Sequence, residues 1–270
     1  MVGRGVIILL TGSKGDSLYA RSVTGSSVLE ENVKYMGKFW QRLLVVGLLF
    51  FLSGCAAPHQ ARILWPAPPQ TPKLEWIGVY YTESQLKKSD GERALDAFLG
   101  ESGKGLLFPW GIVADGNGRV YVADPGQANV VIFDFNTRKV GLLFKRMSGK
   151  PYGLTIDAAG RIYVVVPARK NVLVVGPDHK PLFNFGDKVL TKPNKIVVDD
   201  VRKKIYVSDI GAHTVEVFDM KGQHLKTLGG PGDALGRLYG PTGVAVDKLG
   251  NLYVSEALNA RIQVFSPEGK

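Results

Sequence analysis

A phrase of about fourteen residues returns four times in this 270-residue chain. It reads GIVADGNGRVYVAD from Gly111, GLTIDAAGRIYVVV from Gly153, KIVVDDVRKKIYVSD from Lys195 and GVAVDKLGNLYVSE from Gly243. A proline stands two residues before each phrase (Pro109, Pro151, Pro193, Pro241), at intervals of 42, 42 and 48 residues. Repeats of this period mark architectures whose units cannot bury an apolar face alone and become stable by stacking on their neighbours. Within each phrase a short β-branched run, a turn of Asp, Gly and Asn, and a Tyr-Val run spell a hairpin. A third strand is predicted at 129–135, 171–175, 213–218 and 259–265, and a weaker fourth in three units, as at 140–144 and 181–185. Four short antiparallel strands in roughly 40–50 residues make one propeller blade, so the fold class is all-β.

The fourth unit carries Pro241, Gly243, Asp247, Gly250, Tyr253, Val254, Asn259, Arg261, Ile262, Val264 and Phe265. In this order the residues resemble the NHL repeat, and the resemblance covers about residues 106–270. It departs from the pattern at Val166 (for Asp), at Lys195 (for Gly) and at His213-Thr214-Val215, where Asn-x-Arg is expected. These departures bear on any shared ligand and not on the fold. The resemblance implies a β-propeller of four-stranded blades that closes with six. Four blades are visible, so the chain reads as an incomplete six-bladed ring. The alternative is a closed four-bladed ring sealed by a strand at Leu74–Tyr81. Residues 74–105 are expected to hold that strand and a short helix over 90–99 with Asp90 as its N-cap.

The chain has one cysteine, Cys55, which excludes an internal disulfide or a multi-cysteine metal site. Lys38 and Arg42 precede the apolar run Leu43–Leu52, too short to span a bilayer and suited to a secretory signal. The run ends at Leu52-Ser53-Gly54-Cys55, which resembles the lipobox of bacterial lipoproteins. That resemblance implies cleavage before Cys55 and a lipid on its thiol, so the chain is expected to be membrane-anchored and extracytoplasmic. Ala56 points to the outer membrane, facing the periplasm, if the cell has two membranes. Residues 36–54 are thus read as the signal peptide starting at Met36, 1–35 as an upstream extension without fold, and the Pro-rich 55–73 as a stiff tether.

An antiparallel meander puts the loops between strands two and three, and those between blades, on one rim. That rim gathers Trp110, Asp124, Tyr152, Arg169, Lys195, Asp209, His213 and Glu256 as candidate ligand contacts. Asp124, Asp209 and Glu256 share one repeat position, where a side-chain cap on the loop backbone accounts for the aspartates. Asp115, Asp157, Asp199 and Asp247 are expected to form turns, and Tyr121, Tyr163, Tyr206 and Tyr253 to pack between blades. Trp110 and Tyr152 suit either a glycan or peptide contact or a plug between blades. The formal charge is +10, but its cations are scattered along the chain and read as solvated surface.

No nucleophile motif, phosphate-cradling loop or metal-ligand spacing stands out. A non-enzymatic binding or scaffold module for an envelope protein, peptide or glycan is therefore expected, without cofactor or nucleic acid. The alternative is a propeller enzyme of the lactonase or lyase type with a metal in its channel. The innermost strands offer only apolar residues and Thr155 to such a metal.

Overall fold

In a computed structural model of the chain, residues 63–65, 69, 71, 74–86, 91 and 105–269 are described. Cys55, the signal expected at 36–54 and nearly all of the helix expected at 90–99 lie outside them. The chain divides into two units, residues 1–76 and 77–270. In the first, β1 (Ile63–Trp65) pairs antiparallel with β2 (Leu74–Trp76). The strand expected over Leu74–Tyr81 is therefore three residues long, and its partner comes from the Pro-rich stretch read as a tether.

The second unit holds four antiparallel sheets. Blade 1 is β3 (Gly111–Ala114), β4 (Arg119–Asp124), β5 (Asn129–Asp134) and β6 (Lys139–Leu142). Blade 2 is β7 (Leu154–Ile156), β8 (Ile162–Val166), β9 (Asn171–Val175) and β10 (Pro181–Phe185). Blade 3 is β11 (Pro193–Asp199), β12 (Lys204–Asp209), β13 (Thr214–Asp219) and β14 (His224–Gly229). Blade 4 has three strands among the described residues: β15 (Pro241–Val246), β16 (Leu252–Glu256) and β17 (Arg261–Phe265). Each blade is a plain meander, and the first strands of successive blades lie side by side around an axis.

The core lies between blades. Tyr121 packs with Leu154 and Val164, Tyr163 with Ile196 and Val207, and Tyr206 with Val254. These three tyrosines are at most 3% exposed, whereas Tyr253, at the same repeat position in blade 4, is 38% exposed. Beside it Ile262 is 68% exposed, although its counterparts Val130, Val172 and Val215 are fully buried. The expectation that all four tyrosines pack between blades thus fails at Tyr253, because no described sheet covers that face. For the same reason the described blades do not form a closed four-bladed ring. At the other end the face of blade 1 is partly covered by Tyr80, Leu86 and Leu106. An apolar cavity of about 550 Å³ remains there beside Ile112 and Val122.

Candidate functional site: the loop-bearing rim

The strand registers place the two rims without ambiguity. Asp124 pairs with Asn129, Asp209 with both Pro193 and Thr214, and Glu256 with both Pro241 and Arg261. The loops between second and third strands therefore share an edge with the loops between blades.

Three carboxylates organise this rim from within. Asp124 accepts hydrogen bonds from the amides of Leu107, Phe108, Gly126 and Gln127 at 2.6–3.1 Å. Asp209 does the same for Thr191, Lys192, Gly211 and Ala212, and also accepts from the Thr191 hydroxyl. Glu256 takes the Tyr239 amide, Asn259 Nδ2, Arg261 Nε and Gln263 Nε2 at 2.7–2.8 Å. Burial pushes the Glu256 carboxyl up, but these donors outweigh it and hold it below the usual range. All three side chains are buried. They are structural staples that tie an inter-blade loop to the following turn, and they are not ligand contacts. Blade 2 has Val166 at this position, and there the buried Asn171 Oδ1 is left without a hydrogen-bond partner.

His213 is also spoken for. Its Nδ1 accepts from the Gly240 amide at 3.0 Å, and its ring stacks on Tyr239 at 4.7 Å. That contact joins blade 3 to the loop entering blade 4 and removes His213 from the candidate ligands.

What remains available is an aromatic cluster with a cation beside it. Trp110 meets Tyr152 edge-on at 5.4 Å and stacks with Phe108 at 6.2 Å. Trp110 and Phe108 stay largely exposed. Next to them the inner strands approach closely. A Cβ on Gly111 would stand 2.4 Å from the Tyr152 carbonyl oxygen, and one on Gly153 2.4 Å from that of Asn194. The third unit places Lys195 at this position. Its Nζ passes blade 2 and donates to the Trp110 carbonyl oxygen of blade 1 at 3.3 Å. Burial lowers its pKa below that of an ordinary lysine. The sequence thus named Trp110, Tyr152 and Lys195, which the fold brings together, and missed Phe108 and Tyr239. Phe108 flanks Pro109 opposite Trp110, a spacing that could have pointed to it.

Around this cluster the rim is basic. The segment from 143 to 192 presents exposed Lys145, Arg146, Lys150, Arg169, Lys170, Lys188 and Lys192 there, against one acid, Asp187. Among the described residues none of these seven cations forms an ion pair. On the opposite rim Arg119–Asp134, Arg161–Asp157, Lys180–Asp178 and Arg202–Asp199 pair at 2.6–3.2 Å. Cations of blades 1 to 3 stand on both rims, so the charge is solvated surface as read from the sequence. What differs is the acids, since Asp115, Asp134, Asp157, Asp178, Asp199, Asp200 and Asp219 all lie on the opposite rim.

Residues 238–265 match the NHL repeat family, so the fourth blade carries an NHL repeat, and the other three blades share its antiparallel meander. A comparison with curated proteins finds no match. Among solved structures the chain is similar to hydrazine synthase from Kuenenia stuttgartiensis (19% identity, TM-score 0.50, 60% of this chain and 46% of that one). It is also similar to an inactive virginiamycin B lyase from Staphylococcus aureus with quinupristin (14%, TM-score 0.52, 63% and 56%). A protein of unknown function from Bacteroides thetaiotaomicron is a third (19%, TM-score 0.51, 63% and 44%). The chain spans about half the length of these structures. At such identities the likeness concerns the fold alone.

Proposed function

We propose that this chain is a lipid-anchored extracytoplasmic binding module, held to a membrane through Cys55, whose loop-bearing rim captures an envelope protein, peptide or glycan. One observation carries the reading. Asp124, Asp209 and Glu256 are consumed in stapling loops, while Trp110, Phe108 and the ammonium of Lys195 are left beside one another on the loop-bearing rim. Rigid strands hold variable loops, which is how propellers present ligand contacts. A half-exposed aromatic group with an adjacent cation is a recognition surface; catalysis would need a free base or nucleophile as well.

The test has two parts. Metabolic labelling with a fatty acid should mark the chain and fail to mark Cys55→Ser. Immobilised protein should retain a component from a panel of envelope polysaccharides, peptidoglycan fragments and envelope proteins. Retention should fall in Trp110→Ala and persist in Asp178→Asn on the opposite rim. Equal retention by both variants, or turnover of a panel member by the purified protein, would count against the reading.

A further inference from the structure

We infer that the ligand of this rim is an acidic polysaccharide, its carboxylates held by the arc of unpaired cations and its sugar faces by the Phe108–Trp110–Tyr152 cluster. This inference rests on the proposed rim-binding function and narrows its ligand to one chemical class.

The charge argument comes first. Seven exposed cations on three consecutive inter-blade and intra-blade loops meet a single acid, with no ion pair among the described residues. Unpaired like charges repel and gain nothing for the fold, so a partner of opposite sign relieves them. An arc of dispersed point charges suits a chain with repeated anions better than one small anion. The majority of these cations are lysines, which act as point charges and do not supply the planar fork that grips a phosphate in two places.

The geometry then separates a polymer from a lipid surface. Lys195 is half-buried on the innermost strand of blade 3, and its ammonium reaches past blade 2 to the Trp110 carbonyl oxygen, beside the aromatic rings. A polymer that carries both carboxylates and sugar rings can meet this ammonium and the adjacent rings at once, whereas a flat headgroup layer offers no ring for the aromatic faces. The ring cluster beside it offers half-exposed aromatic surface against which sugar C–H faces pack. Nucleic acid would satisfy the charges too. The export signal expected at 36–54 favours an extracytoplasmic ligand over nucleic acid.

The experiment uses the full chain with Cys55→Ser, so that no acyl chain contributes. Binding is measured by calorimetry to polygalacturonate, with dextran, a dT oligonucleotide and vesicles containing phosphatidylglycerol as the other arms. Polygalacturonate should bind and weaken with added salt, and dextran should not bind. The variant Lys150→Glu/Arg169→Glu/Lys192→Glu should lose affinity about tenfold or more. Lys195→Met should lose roughly threefold to tenfold and Lys195→Arg should restore it. Lys180→Glu/Lys221→Glu on the opposite rim should bind as the parent does.

If the rim retains a neutral glycan or an envelope protein but ignores polygalacturonate, the inference fails while rim binding stands. Tighter binding to the oligonucleotide or the vesicles than to polygalacturonate overturns the assigned class. Indifference of every probe to every rim variant defeats the inference and the rim reading together.

Discussion

The two rims are built from the same repeat and use carboxylates in opposite ways. On the turn rim, each aspartate that starts a turn serves its own hairpin: Asp157 accepts from the amides of Ala159 and Arg161 and from the Tyr163 hydroxyl. A basic neighbour then pairs with it. On the loop-bearing rim, Asp124, Asp209 and Glu256 bind two segments at once and are covered by them. They are therefore unavailable to the exposed cations of 143–192. The difference shows how one repeat uses the same group in two ways: a turn aspartate stays within its hairpin and can meet a nearby cation, whereas Asp124 and Asp209 spend their oxygens on backbone amides of two segments.

The comparison can be attacked first through the staples. Asp209→Ala strips the acceptor from four backbone amides and should cost about 3 kcal/mol in urea unfolding. Asp219→Ala on the turn rim, which serves Lys221 and Gln223 in its own turn, should cost about 1 kcal/mol. Equal losses would erase the distinction between staple and turn-former.

A smaller effect is expected from the ion pairs. Arg161→Ala leaves the buried Asp157 without its guanidinium and should cost about 1–2 kcal/mol, because Tyr163 and two amides still hold the carboxylate. The triple variant Lys145→Ala/Lys150→Ala/Arg169→Ala on the other rim should stay within about 0.5 kcal/mol of the parent. A large loss there would mean that those cations hold the structure and are not free for a ligand.

The smallest effect concerns pH. His179, on the turn rim, contacts the Tyr121 hydroxyl at 3.1 Å. Burial, and the charge of Arg119 after it, lower its pKa. The folded state thus takes up its proton at lower pH than the unfolded chain does. Stability from this group is full above the unfolded value of about 6.5 and declines as pH falls below it toward the lowered folded value. Unfolding midpoints followed from pH 7.5 to 5 should show this slope in the parent and a shallower one in His179→Gln.

Most of the strand plan was legible. Asp-x-x-Gly turns between β-branched runs leave little choice of pairing, and the staple role of Asp124 and Asp209 could be anticipated because short carboxylates cap loop amides. Other features depend on neighbours distant in sequence. Tyr253 has the same local pattern as Tyr163, yet its exposure is decided by whether another sheet lies against it. The pairing of Ile63–Trp65 with Leu74–Trp76 runs across a proline-rich stretch whose composition suggests only extension. His213 looked available until the 48-residue third interval proved to bring Tyr239 and Gly240 onto it.

By itself the sequence determined the blade, because hairpin turns and alternating apolar positions act over a few residues and repeat with the phrase. Only the tertiary structure decided the character of the rims. Lys145, Arg169 and Lys192 are more than twenty residues apart from one to the next and look dispersed, but a meander returns to the same edge after every second strand. Cations reach both edges, but the acids of the loop-bearing edge are largely buried in staples while those of the turn edge face its cations, so the net positive charge left unmatched is greater on the loop-bearing side.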